Sequence, residues 1–350
     1  MFRPTRTRPP GQRPHVTVIV PCFNYGHFLS DCVESIISQP RVRTSVHIID
    51  DASVDDSFDV ALSLSRLHSN VRATRNTENL GHIATYNSGL IQVDSDYVVL
   101  LSADDLLAPG SLARATDLME AHPNVGLVYG HPQSFENEPL ETQAPLLHWS
   151  IWSGRTWIRA QFRRGLSIIY SPEAVVRTSV QHRAGYYRPE LPHSGDLEMW
   201  LRLASLCDVG RINGPDQAYR RVHASSMMNS RFKGVLMDLR ERQRAYEAFL
   251  ESSATGLKDK TRLTATMHRR LSTEALGWAV DQLGISDHAE LADAADFARE
   301  INPDYKRLPA WREFQAAFDS DHAGNVQQLD HFRRNVADRL RWQLWRRLGI

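Results

Sequence analysis

Two apolar runs in this 350-residue chain end abruptly in paired carboxylates: Ile48-Ile49-Asp50-Asp51 and Val98-Val99-Leu100-Leu101-Ser102-Ala103-Asp104-Asp105. A short β-branched run of this kind predicts a buried parallel strand. The carboxyl end of such a strand opens into the crevice where doubly wound α/β sheets bind ligands. Two such strands set four carboxylates on one rim. One can accept from the ring N–H groups of a nucleotide base, and others can hold Mg²⁺ or Mn²⁺ against a diphosphate. A nucleotide-diphosphate site is the chemistry these spacings suggest first.

The elements that must position these carboxylates follow from periodicity. His15–Val20 reads as a strand, and Phe28, Leu29, Cys32, Val33, Ile36 and Ile37 recur at helical spacing before Gln39-Pro40 ends the segment. Strands are predicted at Val46–Ile49, Val71–Thr74, Tyr97–Leu101 and Val125–Tyr129, with helices over Ser57–Leu67, Ile83–Ile91 and Ser111–Glu120 between them. Strands and helices that alternate at this length imply an α/β fold: a doubly wound, mostly parallel sheet covered on both faces, with right-handed crossovers.

In order along the chain stand Val18-Ile19-Val20-Pro21-Cys22-Phe23-Asn24, Ile48-Ile49-Asp50-Asp51-Ala52-Ser53, Asn79-Leu80-Gly81 with Asn87-Ser88-Gly89, and Ser102-Ala103-Asp104-Asp105 ahead of Pro109. Further on come Asp196-Leu197-Glu198-Met199-Trp200-Leu201-Arg202-Leu203 and Tyr219-Arg220-Arg221-Val222-His223. This ordered set resembles the signature of family 2 glycosyltransferases over residues 15–226. The resemblance implies the GT-A fold and metal-assisted, inverting transfer of a sugar from a nucleotide-diphosphate donor to a glycan, lipid-linked or other glycoconjugate acceptor. Polysaccharide biosynthesis at the cell envelope is the usual setting of such enzymes.

The resemblance also distributes roles. Pro21, Phe23 and Asn24 follow the first strand where family members line the nucleobase, and Phe23 either stacks on the base or packs into the core. Asp51 is the acceptor for the base N–H; Asp50, Asn79 and Gly81 complete the nucleotide contacts, although Asp50 and Asp51, with Ser53, also suit the capping of the turn that follows. Many members read Asp-x-Asp-Asp where this chain has Ser102, so the metal falls to Asp104 and Asp105, with His223 as a further ligand. Losing the first carboxylate is tolerable, since Mg²⁺ commonly takes only one or two from the protein. Asp196 is the candidate catalytic base, and it suits that role only if desolvation or a nearby acid raises its pKa against the helix N-terminus that follows. Arg220 and Arg221 are candidates to clamp the diphosphate, Arg221 in particular. Trp149, Trp152 and Trp157 with Arg155, Arg163 and Arg164 suggest an acceptor surface, or else loops anchored on the core.

Composition bounds the rest. With 42% hydrophobic and 23% charged residues, the chain can bury one substantial α/β core plus a helical region. A formal net charge of +0 excludes a global field for nucleic acid. Cys22, Cys32 and Cys207 lack metal-ligand spacing and suit a reducing compartment, and no segment has the apolar length of a membrane span, so a cytoplasmic location is expected. The domain reading is a disordered basic tail over 1–14, the glycosyltransferase-like domain over 15–226 and a helical accessory region over 227–350. Helices are predicted there at Gly234–Leu250, Lys258–Leu283, Ala289–Arg299, Trp311–Phe318 and Val326–Leu348. The last is basic, with Arg333, Arg334, Arg339, Arg341, Arg346 and Arg347 beside an apolar stripe. It suits either the inner face of an anionic membrane or the protein's own helices.

Other classes fit less well. No G-x-G-x-x-G follows the first strand, which disfavours a Rossmann dehydrogenase, and the absence of a Gly-rich loop there disfavours a sugar-nucleotide synthesising enzyme. A non-catalytic member that only binds a nucleotide sugar or a partner is the remaining alternative, prompted by Ser102 and Gly195, where the family pattern has acids.

Overall fold

The run His15–Cys22 forms strand β1, and its alternate residues Val16, Val18 and Val20 bury against Leu29, Cys32, Val33 and Ile36 of helix α1 (Gly26–Ile37), which sit at i, i+3, i+4 and i+7. Strand β2 (Arg43–Asp50) runs parallel to β1 with Val18 opposite Val46 and Cys22 opposite Asp50, and β3 (Val71–Arg75) and β4 (Tyr97–Leu100) extend this parallel set on either side. Helix α2 (Ser57–Leu67) connects β2 to β3, and α3 (His82–Leu90) connects β3 to β4. On α3 a Cβ at Gly89 would lie 2.6 Å from Ile19 Cγ2 and 2.9 Å from Ile49 Cδ1, so only glycine lets the helix sit this close to the sheet. The chain therefore leaves the carboxyl ends of β1, β2, β3 and β4 on one edge, where all the paired carboxylates lie.

The structure is a computed structural model that describes residues 12–140, 144–223, 234–252, 257–283, 285–286 and 288–318. Among them the sheet has nine strands in the order β3-β2-β1-β4-β8-β6-β9-β5, with β7 also pairing β9. The additional strands are β5 (Leu106–Leu107), β6 (Val125–Phe135), β7 (His148–Trp152), β8 (Val175–Arg177) and β9 (Asp208–Arg221). β8 is antiparallel to both neighbours, and β9 is parallel to β6 but antiparallel to β5 and β7. β7, β8 and most of β9 are not signalled by sequence pattern, and β6 runs six residues past its expected end. Gly214 and Pro215 are breakers inside β9; the pairing of β6 with β9 absorbs them through the register shift between Tyr129 and His131.

The described residues of Met1–Trp157 and Ile168–Ala224 form one compact unit, and those of Ile158–Ser167 and Ser225–Ile350 form the other. The short segment 158–167, expected within the first domain, thus packs with the helices. Those are Val235–Ser252, Lys260–Asp281, His288–Ile301 and Pro309–Phe318, close to the spans that periodicity predicts. Leu276, Ala279, Leu291, Ala294, Ala298, Leu308 and Phe314 share one core in this unit. Arg242 is buried there, paired with Glu274 at 2.7 Å and donating to the Gly165 carbonyl at 2.8 Å. The expected helix Val326–Leu348, with its basic face, and most of 1–14 lie outside the described residues. No helix among the described residues is long and apolar enough to cross a membrane.

Candidate active site

Adjacent residues of a strand point to opposite faces, and this separates Asp50 from Asp51. Asp50 is fully enclosed: its Oδ2 accepts from Ser53 N at 3.2 Å and pairs with Arg75 Nε at 3.2 Å. It braces the turn after β2, the capping role the sequence also allows. Asp51 faces the other way. Its Oδ1 accepts from Asn76 Nδ2 at 2.8 Å and Leu80 N at 2.9 Å, and its Oδ2 accepts from Gly81 N at 2.9 Å. Asp51 thus gathers the segment leading into α3, including Asn79, whose Oδ1 accepts from the same Gly81 N–H at 3.1 Å. Gly81 has φ +82°, a conformation that favours glycine. A carboxylate offers about four acceptor positions, so Asp51 keeps one for a ligand N–H.

Pro21 stands at the end of β1 opposite Ile49. The turn beyond it presents Phe23 at 40% exposure, which resolves its two readings in favour of a free aromatic face at the rim. Asn24 adopts φ +58° and is spent on the scaffold: its N–H donates to Ser53 Oγ at 2.9 Å and its Oδ1 accepts from Val54 N at 2.9 Å.

At the end of β4 a tight turn, closed by Asp105 N donating to Ser102 O at 3.0 Å, places Asp104 and Asp105 together with the end of β9. His223 Nε2 faces Asp104 Oδ2 at 3.0 Å, and the imidazole lies against the rings of Tyr25 and Phe28, each at 5.5 Å between centroids. Asp105 accepts from Arg221 N at 2.9 Å; burial first, then the neighbouring Asp104 charge, hold its carboxyl well above the usual range. Burial and then the same two aspartates push the Tyr25 phenol up to about 12. Arg221 is not a free clamp. Its guanidinium lies over Phe28 at 4.4 Å and Phe135 at 4.5 Å, with Nε donating to Asp104 O at 3.1 Å and Nη1 to Asn137 O at 3.2 Å, so it supports the aspartate turn. Its neighbour Arg220 instead lies over the Tyr170 ring at 5.0 Å.

Two carboxylates are hard donors suited to Mg²⁺ or Mn²⁺, and the imidazole beside them is a borderline donor. Asp104 Oδ1 is buried without a hydrogen-bond partner, which is the condition a bound cation relieves. Among the described residues no three His, Cys, Asp or Glu side chains converge closely enough to hold an ion unaided, so phosphate and water oxygens would have to complete its shell.

Asp196 lies in the first turn of the helix Gly195–Ala204. Its Oδ2 accepts from Ser171 Oγ at 2.6 Å. Burial pushes the Asp196 carboxyl above its ordinary value, and the Ser171 hydroxyl first, then Tyr187 and nearby His82, pull it only partly back. The condition for a base at a helix N-terminus is met by desolvation. The Tyr86 phenol of α3 is raised by burial and then by the charges of Asp196, Asp104 and Asp105 in turn, so all three carboxylates act on one side chain. Glu198, two residues on, is buried and consumed by Arg188 at 3.1 Å and Arg202 at 2.6 Å.

The tryptophan reading is corrected. Trp157 is 1% exposed and packs edge-on against Tyr129, and Trp149 rests against the core beside His122, so neither offers a free face for a sugar ring. Ser171 and Asn76, which bond Asp196 and Asp51, carry no sequence signal of their own.

Residues 17–180 match the profile described as glycosyl transferase family 2. An uncharacterized protein of Mycobacterium tuberculosis, MT1568, is 25% identical over 255 residues, which cover 66% of this chain and 74% of that protein. The glycosyltransferase GlyG of Streptococcus pneumoniae is 24% identical over 125 residues, 35% of this chain and 42% of GlyG. Among solved structures, residues 1–349 of S. aureus TarS in complex with UDP-GlcNAc superpose with a TM-score of 0.64 at 15% identity, covering 87% of this chain and 91% of that one. The mannosyltransferase PcManGT of Pyrobaculum calidifontis, in complex with GDP-Man and Mn²⁺, gives 0.55 at 18% identity, covering 90% and 89%. At these identities the structural likeness establishes the shared GT-A fold.

Proposed function

We propose, from the premise that this chain carries a family 2 glycosyltransferase domain on a GT-A fold, that it transfers a sugar with inversion from a nucleotide-diphosphate donor to a hydroxyl of a glycan, lipid-linked or other glycoconjugate acceptor. The observation that carries the chemistry is Asp196: a carboxylate held by Ser171 Oγ at 2.6 Å and raised by burial, whose charge acts together with those of Asp104 and Asp105 on the Tyr86 phenol. Asp196 takes the proton of the acceptor hydroxyl as that oxygen attacks the anomeric carbon and the nucleoside diphosphate departs from the opposite face. One displacement of this kind inverts the anomeric centre.

Phe23 stacks on the base and the remaining acceptor position of Asp51 takes a ring N–H, while Pro21, Asn24, Asn79 and Gly81 shape the surrounding turns. Asp104, Asp105 and His223 would hold Mn²⁺ or Mg²⁺, which when bound supplies counter-charge for the leaving diphosphate. PcManGT, which shares the fold, was solved with GDP-Man and Mn²⁺, and this supports the metal reading.

The test begins with a thermal-shift screen of UDP-, dTDP- and GDP-sugars with and without Mn²⁺, since only a ligand that binds the native state raises the melting temperature. Transfer is then followed with the donor that binds, and NMR of the product reads its anomeric configuration. Retention of configuration, or native turnover in Asp196→Asn, rejects the reading.

A further inference from the structure

Neighbouring residues of β9 face opposite ways, and this separates Arg220 from Arg221. Arg221 turns to Phe28 and Phe135 beneath the aspartate turn, whereas the Arg220 guanidinium lies over the Tyr170 ring at 5.0 Å. Arg220 is half-buried, and among the described residues it enters no ion pair and its guanidinium donates no hydrogen bond. Tyr170 is 38% exposed, and its place is fixed by its N–H, which donates to Glu173 Oε1 at 3.0 Å. The next residue, Ser171, donates to Asp196 Oδ2 at 2.6 Å. The residue after Arg220 donates its backbone N–H to Asp105 Oδ1 at 2.9 Å. The pair of Tyr170 and Arg220 is thus one residue removed, on each side, from a group that bonds a carboxylate of the candidate site.

We propose that Tyr170 and Arg220 form an acceptor subsite, which selects a sugar or polyol whose reacting hydroxyl stands near an oxyanion, a phosphate or a carboxylate. This rests on the reading of Asp196 as the base. The reacting hydroxyl must lie within hydrogen-bond reach of that carboxylate, and Ser171, which bonds it, is about 3.8 Å from Tyr170 between Cα atoms. Groups a few bonds from the hydroxyl therefore fall on the tyrosine ring and the guanidinium. The negative face of an aromatic ring suits the C–H side of a sugar, and the planar fork of an arginine matches a phosphate or carboxylate. Stacking on the ring holds the fork in place and leaves its N–H edge for an anion. With a formal net charge of +0 the chain has no general attraction for polyanions, so a preference for a charged acceptor has to come from a local group of this kind. The leaving diphosphate has its own counter-charge in the cation that Asp104, Asp105 and His223 would hold, which leaves Arg220 for the acceptor.

The experiment gives full-length native protein, Arg220→Gln, Tyr170→Leu and Asp196→Asn a panel of UDP-, dTDP- and GDP-sugars with Mn²⁺ and two matched pairs of acceptor probes. The pairs are glucose with glucose 6-phosphate, and methyl glucoside with methyl glucuronide, so that phosphate and carboxylate are read separately. Native protein is expected to favour the charged member of at least one pair by about tenfold or more in kcat/KM, the weight of hydrogen bonds to a charged group. Arg220→Gln should bring the two members within about twofold of each other, because the amide carries no charge to assist those bonds. Tyr170→Leu removes the ring beneath the guanidinium and should shrink the preference about threefold. Affinity of Arg220→Gln for UDP and GDP, read by calorimetry with Mn²⁺, should stay within about twofold of native, as expected of independent sites. The inference is overturned if native protein shows no preference for either charged probe, use of none of the probes included, or if the preference survives in Arg220→Gln. A loss of UDP or GDP affinity in Arg220→Gln with the acceptor preference intact assigns the arginine to the diphosphate and overturns it as well. If Asp196→Asn loses transfer while Arg220→Gln keeps the preference, the inference alone fails and the base reading stands. If Asp196→Asn retains native transfer, the base reading fails and the inference falls with it. Should Arg220→Gln lose its cooperative melting transition, Tyr170→Leu decides, and an undiminished preference there overturns the inference.

Discussion

Asp51 and Asp196 are both aspartates at the edge of one crevice, and their surroundings differ in kind. Three N–H donors from Asn76, Leu80 and Gly81 converge on Asp51, so most of its acceptor capacity is spent on building a loop. Asp196 accepts from a hydroxyl, Ser171 Oγ at 2.6 Å, in a setting whose burial raises its pKa. Hydroxyls can donate or accept, so they adapt to either protonation state of a carboxyl group, whereas N–H groups serve only as donors. The first arrangement suits an anchor that stays the same throughout a reaction. The second suits a group that gains and loses a proton. The difference between the two carboxylates is therefore one of neighbours, not of residue type.

That contrast breaks most sharply at Asp196. Replacement by asparagine should lower kcat by about two to four orders of magnitude, the usual worth of a general base, with donor affinity nearly intact. Steady-state kinetics and calorimetry on the same preparation check both halves. Next in size is Asp104→Ala, expected to cost on the order of a hundredfold in Mn²⁺-stimulated transfer, since counter-charge at a leaving group is worth several kcal/mol. Circular dichroism should show the fold retained, and transfer unchanged at saturating Mn²⁺ would remove Asp104 from the metal site.

Asp51→Ala should behave as the loss of an anchor. Leaving buried donors unpaired costs about 1–3 kcal/mol each, so the melting temperature should drop along with donor affinity, while kcat at saturating donor changes little. A large fall in kcat with native stability would erase the distinction drawn between the two aspartates. Phe23→Ala should weaken nucleotide binding by about 1–3 kcal/mol, the usual worth of stacking on a base, and leave the melting temperature of the free protein unchanged because the ring is exposed.

The smallest effect is on stability against pH. Because the folded pKa of Asp196 lies above its unfolded value, the native state binds the extra proton between the two, and stability from this group is lost as pH rises through that window. Asp196→Asn should therefore melt at the same or a slightly higher temperature than native protein at neutral pH, and the gap should close below about pH 4, the ordinary aspartate range. Transfer by the native protein has the opposite trend, falling as pH drops through the raised value. A variant that melts well below native at neutral pH would place Asp196 among the anchors.

The parallel half of the sheet was legible because each of its signals is local. An apolar run that stops at carboxylates, a 3.6-residue stripe and a glycine at a turn all lie within one element, and the predicted spans of α1, α2, α3 and α4 (Ser111–Ala121) lie within a few residues of those observed. Strand alternation even contained the distinction between Asp50 and Asp51, since neighbours on a strand face opposite ways. The antiparallel half was not legible. Its strand β9 includes Gly214 and Pro215, and only a bulged partner makes them acceptable.

Residue types and spacing alone determined that this chain has a sheet whose strands end in a crevice and which aspartates stand at its rim, because those follow from where strands end. Tertiary structure decided what each side chain does there. Arg221 lies between Phe28 and Phe135, Trp157 is packed against Tyr129, Ser171 reaches Asp196 and Asn87 reaches Tyr187. All of these are contacts between residues far apart in the chain, where no periodicity extends. A half-buried carboxylate takes its proton affinity from such neighbours and from the water they exclude, so the character of Asp196 arises only once the loops around it are folded.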